Sequence, residues 1–378
     1  MNTPPPTPPP GPPTDIDSST AKPESPASEK ANPKASDPTG DAAIAGGAPP
    51  LASVVLVMQD GYAAIAKTVE ALAQQTIVDR LELVVVAPAG RAELPPHAPR
   101  QRIGRVTVVE LGEVSLGEAQ SHGTRAASAA VVILGEDHAW PEPEYAQALA
   151  ESCVGNRAAV GPAMINANPW STVSWSNLLL AYGPWTEPVR GGVVKALPGT
   201  NTAYQRSILM TYGQELDTLM AREGGLLQRL RDDGYDLYLE PRARTAHQNV
   251  SGLRAGASLR YHAGRLYAAR RAETEGWGGG KRAVYAAASP LIPLVRFRRI
   301  FGEFRQRGMP LSPRRVAGIA WGVTMDGLGQ LAGFGIGAGG SDQRLQDFEY
   351  NRYRYLSRRD RREAGLDEQR ASSSAAPR

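Results

Sequence analysis

The residues best suited to chemistry in this 378-residue chain follow a short apolar stretch in the segment VVILGEDHAWPEPEY, 131–145. Its first four residues are apolar without alternation, a pattern typical of a strand covered on both faces of an α/β sheet. Glu136, Asp137 and His138 stand just beyond that strand. Ligands of open α/β sheets bind beyond the carboxyl ends of the strands, so this cluster stands where a ligand would lie.

Two carboxylates and an imidazole on adjacent residues offer oxygen and nitrogen ligands to a divalent cation. The hard oxygens favour Mg²⁺ or Mn²⁺. We therefore predict a divalent metal site at Glu136, Asp137 and His138. The alternative is that these residues only form a solvated loop, because acidic residues are common at strand ends.

A turn and a later histidine are candidates for the same site. The sequence PGTN, residues 198–201, favours a turn, and free backbone amides at Gly199, Thr200 and Asn201 would contact a sugar or a phosphate. His247 follows the last predicted strand and would bind the metal or a phosphate. The alternatives are an ordinary turn and a structural histidine.

The candidate general base is Glu223, in the segment REGGLLQRL. Helix propensity is low at the two glycines that follow it, which places Glu223 near the start of a helix. The helix dipole keeps a carboxylate ionised there, and an ionised carboxylate accepts protons. Glu215 and Asp217 are rivals for this role. A purely structural preference for glutamate at a helix start is the alternative.

The elements around these residues predict an α/β sheet. Apolar runs indicate strands at 51–59, 81–87, 105–111 and 131–134, with helices after the first strand and over 117–129. This order is typical of a sheet with crossover helices. Later segments predict a helix in PEYAQALAESC, a strand in AAVGPAMI, an aromatic loop from Trp170 to Trp185 and a last strand over 236–249. The sequence contains neither G-x-G-x-x-G after the first strand nor a P-loop motif, so glycine-loop phosphate binding is not indicated.

The two ends of the chain have compositions typical of disorder. Residues 1–48 are dominated by Pro, Ala, Ser, Thr and Asp, and 357–378 are charged and then small and polar. Between these tails we predict an α/β domain over 49–255 and a helical region over 256–356. The single cysteine, Cys153, excludes an intramolecular disulfide and a Cys-based zinc site. Together with a start that lacks the pattern of a secretory signal, this favours the cytoplasm.

The helical region combines basic charge with apolar runs. The formal net charge is only +4, but residues 281–315 contain nine basic residues against one acid, Glu303. Such a segment predicts an anionic partner, and no zinc finger, helix-turn-helix or aromatic-basic pattern indicates nucleic acid. The apolar runs 284–301 and 316–339 instead favour a membrane surface with anionic lipids. The second run exceeds the roughly 20 residues of a membrane span, but Asp326 would be costly inside a bilayer, so interfacial helices are favoured.

Taken in order, these segments resemble the family-2 nucleotide-sugar glycosyltransferases with a GT-A fold. The resemblance covers about residues 51 to 250. ASVVLV and the helix ending LAQQT are similar to the opening strand and helix of the family, and ILGEDHAWPEPEY resembles its D-x-D strand end. By this register Glu136 and His138 take the two acidic positions, with Asp137 between them at the donor. LPGTNTAYQRSIL resembles the acceptor-side loop, and EGGLLQRLRDDG echoes the segment in which Glu223 would be the base.

The resemblance implies a GT-A-like mixed sheet flanked by helices and an inverting, metal-dependent transfer. A sugar would pass from a nucleotide-sugar donor to a hydroxyl of a glycan or a lipid-linked acceptor. The cation would neutralise the leaving nucleoside diphosphate while Glu223 takes the acceptor proton. With the helical region bound to lipid, the enzyme would work on the cytoplasmic face of the cell membrane as a peripheral or monotopic protein. The alternative is a non-catalytic sugar-nucleotide or polysaccharide-binding module derived from such an enzyme.

Overall fold

The computed structural model describes residues 48–59, 61–92, 94, 99–222 and 224–366. The predicted N-terminal tail, except for its last residue, lies outside these ranges. Glu223 and residues 367–378 also lie outside them.

A mixed sheet forms the centre of the described chain. Its nine strands are β1 (Ala52–Val57), β2 (Leu81–Pro88), β3 (Arg105–Leu111), β4 (Val131–Leu134), β5 (Ala139–Pro141), β6 (Arg157–Asn166), β7 (Gly192–Val194), β8 (Thr202–Gln205) and β9 (Asp236–His247). The spatial order is β3-β2-β1-β4-β8-β6-β9-β5, and β7 also pairs with β9. Strands β3, β2, β1 and β4 are parallel to one another, whereas β8 runs antiparallel to β4.

Helices flank the sheet and form the whole C-terminal part of the described residues. They are α1 (Tyr62–Leu72), α2 (Leu116–Ala126), α3 (Tyr145–Ser152), α4 (Thr172–Ala181), α5 (Arg206–Thr211), α6 (Glu215–Ala221), α7 (Gly225–Asp232), α8 (Leu253–Thr274), α9 (Gly279–Ala288), α10 (Ile292–Gln306), α11 (Pro313–Ile336), α12 (Ser341–Tyr350), α13 (Arg352–Tyr355) and α14 (Arg358–Glu363). The predicted α/β class and the predicted order from β1 to β4 are confirmed.

The apolar runs 54–57 of β1 and 83–87 of β2 are explained by burial on both faces of the sheet. Because side chains alternate along a strand, Val54 and Leu83 pack into one core cluster together with Ile65 of α1. Their neighbours Val55 and Val84 pack into a second cluster on the opposite face. Each face therefore needs apolar residues, and the strands show no polar alternation.

Two predictions about local structure are corrected. The predicted aromatic loop contains α4, whose start is capped by the side chain of Ser171. Ser174 and Ser176 are fully buried in this helix, so no polar face reveals its period. The predicted C-terminal tail forms α14 over part of its length, where Ser357 and Asp360 make a reciprocal capping box.

Glycines allow α8 and α11 to pack in close contact. A Cβ atom on Gly264 would lie 2.2 Å from the carbonyl oxygen of Asp326, and one on Gly329 would lie 2.0 Å from that of Tyr261. Asp326 itself is buried and pairs with Arg296 at 2.6 Å. The glycine-rich apolar run is therefore partly explained by packing within the protein. Among the helices of the described residues, none has the length and hydropathy of a membrane span.

We expect Gly329→Ala to lower the free energy of unfolding by about 1 to 3 kcal/mol, because the added methyl group forces the two helices apart. Gly335→Ala, in the same helix but with open space around its Cα, is the matched control. It should raise stability by about 0.5 to 1 kcal/mol, since alanine favours helix over glycine. Urea unfolding followed by circular dichroism measures both. An equal gain in stability for the two variants would contradict the close packing.

Candidate metal centre

Strand pairing brings the sequence-predicted site residues together. Leu134, the last residue of β4, pairs with Thr202 of β8, so the residues after β4 meet the turn that precedes β8. Ala139 of β5 pairs with His247 at the end of β9, which carries His138 to His247. The cluster, the turn and the later histidine therefore converge at one edge of the sheet.

The turn residues hold the carboxylate of Glu136 in place. Asn201 Nδ2 donates to Glu136 Oε2 at 2.7 Å, and Thr200 Oγ1 donates to Oε1. The Tyr182 hydroxyl donates to the same Oε1 at 3.2 Å. Burial, followed by the nearby charge of Glu136, raises the pKa of Tyr182 well above its usual range, so this hydroxyl keeps its proton. With three donors on two oxygens, the carboxylate has a fixed orientation.

The two histidines face each other through their Nε2 atoms, which lie 3.0 Å apart. Their Nδ1 atoms are occupied on the other side of each ring. His138 Nδ1 lies 2.5 Å from Asp137 Oδ1, and His247 Nδ1 lies 3.1 Å from Asn249 Oδ1. Because these oxygens accept hydrogen bonds, they favour a proton on each Nδ1, so that in the neutral form of each ring Nε2 presents a lone pair. Two facing lone pairs favour a cation between them.

Burial favours the neutral form of His247. Burial, and then the neighbouring His138 and Arg352, lowers the pKa of His247 well below its usual value. The imidazole is therefore neutral at physiological pH, and the neutral form is the one that binds metal.

The geometry fits one divalent cation. Glu136, His138 and His247 offer ligand atoms that all lie within 4.8 Å of one another. Glu136 Oε2 lies 3.5 Å from His247 Nε2 and 3.9 Å from His138 Nε2. Ligand atoms that share one ion at bond lengths of about 2.1 Å lie about 3 to 4 Å apart. Three of the four predicted ligands thus meet.

The fourth predicted ligand, Asp137, lies behind this group. Its carboxylate contacts His138 Nδ1, on the ring edge opposite to the Nε2 atom that faces His247. Burial acts to raise the pKa of Asp137, but His138 then holds it below its usual value. Asp137 therefore orients a ligand, as carboxylates behind metal-binding histidines commonly do, and its predicted place among the ligands is corrected.

The predicted role of the turn amides also changes. The backbone N–H of Asn201 donates to the carbonyl of Leu134, so it is engaged inside the sheet. The carbonyls of Gly199 and Asn201 accept from Tyr204 and Tyr145, each at 2.8 Å. In this structure the turn acts on the centre through the side chains of Thr200 and Asn201.

Sequence reasoning missed three residues that support the centre. The ring centroid of Tyr182 lies 4.6 Å from that of His247. Tyr182 follows α4 in a stretch whose sequence shows neither the helix period nor the strand period, so this role has no signal in the sequence. Asn249 fixes the tautomer of His247; its place two residues later is the only sequence signal. Arg352, more than 100 residues away in α13, donates to the carbonyl of Gln248.

The three candidate bases differ in their surroundings. Glu215 pairs with Arg229 at 2.7 Å. Asp217 pairs with Arg125, also at 2.7 Å, and accepts from Ser121. Glu223 lies outside the described residues, two positions before the start of α7 at Gly225. The two rivals are thus already engaged in structural ion pairs.

No family model matches the sequence, and no curated protein matches it. Among solved structures, the chain is similar to GalNAc-T7, crystallised with UDP, GalNAc and Mn²⁺, at 16% identity and a TM-score of 0.38; the match covers 52% of this chain and 44% of that one. It is also similar to the mannosyltransferase PcManGT from Pyrobaculum calidifontis, in complex with GDP-Man and Mn²⁺, at 15% identity and a TM-score of 0.44, with 84% of each chain covered. The chain therefore spans less than half the length of GalNAc-T7.

Proposed function

We propose that this protein is a metal-dependent glycosyltransferase of the GT-A type, which moves a sugar from a nucleotide-sugar donor to a hydroxyl of a glycan or lipid-linked acceptor with inversion. One observation carries the proposal. Thr200 and Asn201 lie in the turn that resembles the acceptor-side loop of family-2 enzymes. Their side chains donate hydrogen bonds to Glu136, which takes the first acidic position of the sequence that resembles the D-x-D motif. His247 completes a ligand group at the same point.

Glu136, His138 and His247 would hold the cation. With two imidazole nitrogens and one carboxylate, the group favours Mn²⁺ over Mg²⁺, because imidazole is the softer ligand. When bound, the cation supplies positive charge where a nucleoside diphosphate leaves. Asp137 and Asn249 keep both imidazoles in the binding tautomer, and Tyr182 keeps the carboxylate turned toward them.

Glu223 is the proposed general base. Burial acts to raise the pKa of Asp217, but hydrogen bonds from Ser121 and Arg125 hold it below its usual value, which makes this rival a poor proton acceptor, and the carboxylate of Glu215 is paired with Arg229. A single displacement, in which Glu223 takes the proton of the acceptor hydroxyl while that oxygen attacks the anomeric carbon, inverts the configuration.

The proposal is tested by incubating the protein with UDP- and GDP-sugars, Mn²⁺ and a panel of glycan acceptors. We expect a thermal shift with one donor and release of its nucleoside diphosphate, and we expect His247→Ala to lose both. Donor binding without release for every acceptor would favour the non-catalytic binding module. A protein that binds none of the donors would refute both functions.

The lipid partner is a further part of this proposal. Leu291, Leu294 and Val295, at the start of α10, are each more than 60% exposed. Pro293 of the same helix packs on Gly327 of α11, whose neighbour Leu328 is also exposed. Exposed basic residues follow on α10 at Arg298, Arg299 and Arg305. An apolar patch beside basic charge complements an anionic lipid surface, which supports a peripheral location on the cytoplasmic face of the cell membrane.

The structure narrows the surface that would enter the lipid. The sequence favours Ile300 as a lipid-facing residue, but it is only 8% exposed and packs with Phe304 in a core cluster. Phe297 is partly buried against the same cluster. The lipid-facing set is therefore Leu291, Leu294 and Val295 rather than the aromatic side of the helix.

We expect the full chain to sediment with anionic vesicles at low salt. Each basic residue near an anionic leaflet contributes about 1 kcal/mol, which salt screens. Burial of the leucines and valine adds a term that salt does not remove. Leu294→Asp with Val295→Asp should weaken sedimentation at low salt and abolish it at high salt, because only the salt-sensitive term remains, whereas Val193→Asp, at an equally exposed valine of β7, should change neither. A full-length protein that stays in the supernatant at low salt would refute the lipid partner.

A further inference from the structure

The C-terminal segment 341–366, which we call the strap, lies beside the candidate metal centre, on the side of Asp137 and His138. It comprises α12, α13 and α14. Glu349, Arg352 and Leu356 of the strap line one side of a cavity whose other side includes Lys67 and His138. The strap is therefore a wall of the space next to the centre, although the sequence gives its last part, from Ser357, the composition of a charged tail.

The cavity that remains under the strap is too small for the proposed donor. Its volume is about 50 Å³, room for a few water molecules. Pockets that bind ligands of nucleotide size usually have volumes of about 300 to 1,000 Å³. A nucleotide-bearing ligand therefore cannot reach this side of the centre while the strap keeps this position.

The strap is fastened by the buried apolar side chains of Phe348, Leu356 and Ala364 and by polar contacts, three of which Asp360 makes. Asp360 is fully buried. Its Oδ1 accepts from Asn168 Nδ2 at 2.9 Å, and its Oδ2 accepts from the hydroxyl of Ser251. Gln248 Nε2 donates to the Asp360 carbonyl at 2.9 Å. Polar contacts of this kind are exchanged for contacts with water at small net cost when a segment opens.

These fastenings attach directly to the chain that carries a metal ligand. Gln248 and Ser251 follow His247, and Asn168 Oδ1 also accepts from the backbone N–H of Asn249. The second fastening, from Arg352 to the carbonyl of Gln248, brings a guanidinium next to the centre only when the strap is closed. Position of the strap and geometry of the centre are thus linked through residues 247–251.

We propose that the strap is a lid that opens to admit a nucleotide-bearing ligand and closes over it, with Asp360 as the latch and Arg352 as a cation delivered on closure. The ligand in this proposal rests on the proposed function, whereas the opening of the strap does not. Arg352 and Lys67 line the cavity together with the carboxylates of Asp137 and Glu349, and the two cations are the groups that would face an anionic diphosphate.

Locking the strap tests the proposal. Ala64 of α1 and the exposed Glu349 of the strap line the same cavity, so Ala64→Cys with Glu349→Cys can be joined by a short bismaleimide. The native Cys153 is buried, and burial raises the pKa of its thiol to about 12, so it should not react. We expect joining to weaken binding of UDP or GDP with Mn²⁺ at least tenfold by calorimetry. Each single variant treated with the same reagent should change the dissociation constant less than twofold. Unchanged binding in the joined protein would overturn the lid.

A second measurement keeps the lid testable if the protein binds neither nucleotide, an outcome that would count against the proposed function. Hydrogen exchange of the backbone amides of 341–366 should be at least tenfold faster in Asp360→Ala than in the original protein, with exchange in α8 unchanged. Asp342→Ala, which removes an exposed ion pair with Arg270 at the other end of the strap, is the matched control and should leave exchange unchanged. If the strap and α8 exchange together in all three proteins, the strap does not open separately and the proposal is wrong.

Discussion

His247→Ala should lower the affinity for Mn²⁺ by at least about 100-fold, and Glu136→Gln should have a similar effect. Each change removes one of three ligands, and loss of a residue that merely supports a ligand already costs about 10- to 100-fold. His247→Ala also leaves the Nε2 lone pair of His138 without the partner at 3.0 Å. Calorimetric titration of Mn²⁺ into the metal-free protein measures the change.

The same titration separates ligands from supporting residues. Asp137→Asn should weaken Mn²⁺ binding by about 10- to 100-fold, less than loss of a ligand, because the amide oxygen can still accept from His138 Nδ1 but lacks the negative charge that strengthens this hydrogen bond. His122→Ala, on an exposed position of α2, is the matched histidine control and should have no effect. Equal Mn²⁺ affinities for the original protein and His247→Ala would show that the three residues do not form a metal centre.

Glu223→Gln should lower turnover by about 100-fold or more while the affinity for the donor changes only a few-fold. A positioned proton acceptor contributes about 10²- to 10⁴-fold to rate, and glutamine has nearly the same shape as glutamate but cannot accept the proton. The rate of nucleoside diphosphate release at saturating donor, with donor affinity measured separately, distinguishes the two effects.

The rival carboxylates are the matched controls for Glu223. Glu215→Gln and Asp217→Asn remove charges that already pair with Arg229 and Arg125, so we expect losses of stability rather than of turnover. Near-normal turnover in Glu223→Gln, with a large loss in either of the other two variants, would transfer the role of base to that residue.

Several features of this protein were determined by the sequence itself. The apolar runs 54–57 of β1, 83–87 of β2 and 131–134 of β4 predicted strands in the interior of a sheet, because both faces of those strands are buried. The position of Glu136 just after β4 predicted a site, because the carboxyl ends of parallel strands form the edge where ligands bind. Both inferences depend only on residues that are close in the chain.

The partners of the centre were decided by tertiary structure. His138 and His247 are 109 residues apart, and they meet because β5 and β9 pair over only three residues, a pairing too short to leave a pattern. The same limit explains Asp137, whose role depends on which edge of the His138 ring faces the partner histidine. Side-chain direction of this kind is fixed by packing and not by residue type.

The C-terminal region shows most clearly the difference between what composition predicts and what tertiary structure decides. Its glycine-rich apolar run has the composition of a membrane segment, but close contact between α8 and α11 uses those glycines inside the protein. The charged stretch after Ser357 has the composition of a tail, yet Asp360 is buried against Asn168 and Ser251. Composition determines how much free energy a segment gains when its side chains leave water. Which surface it packs against is decided only in the folded chain, because a buried charged residue needs hydrogen-bond donors, and these come from distant parts of the sequence.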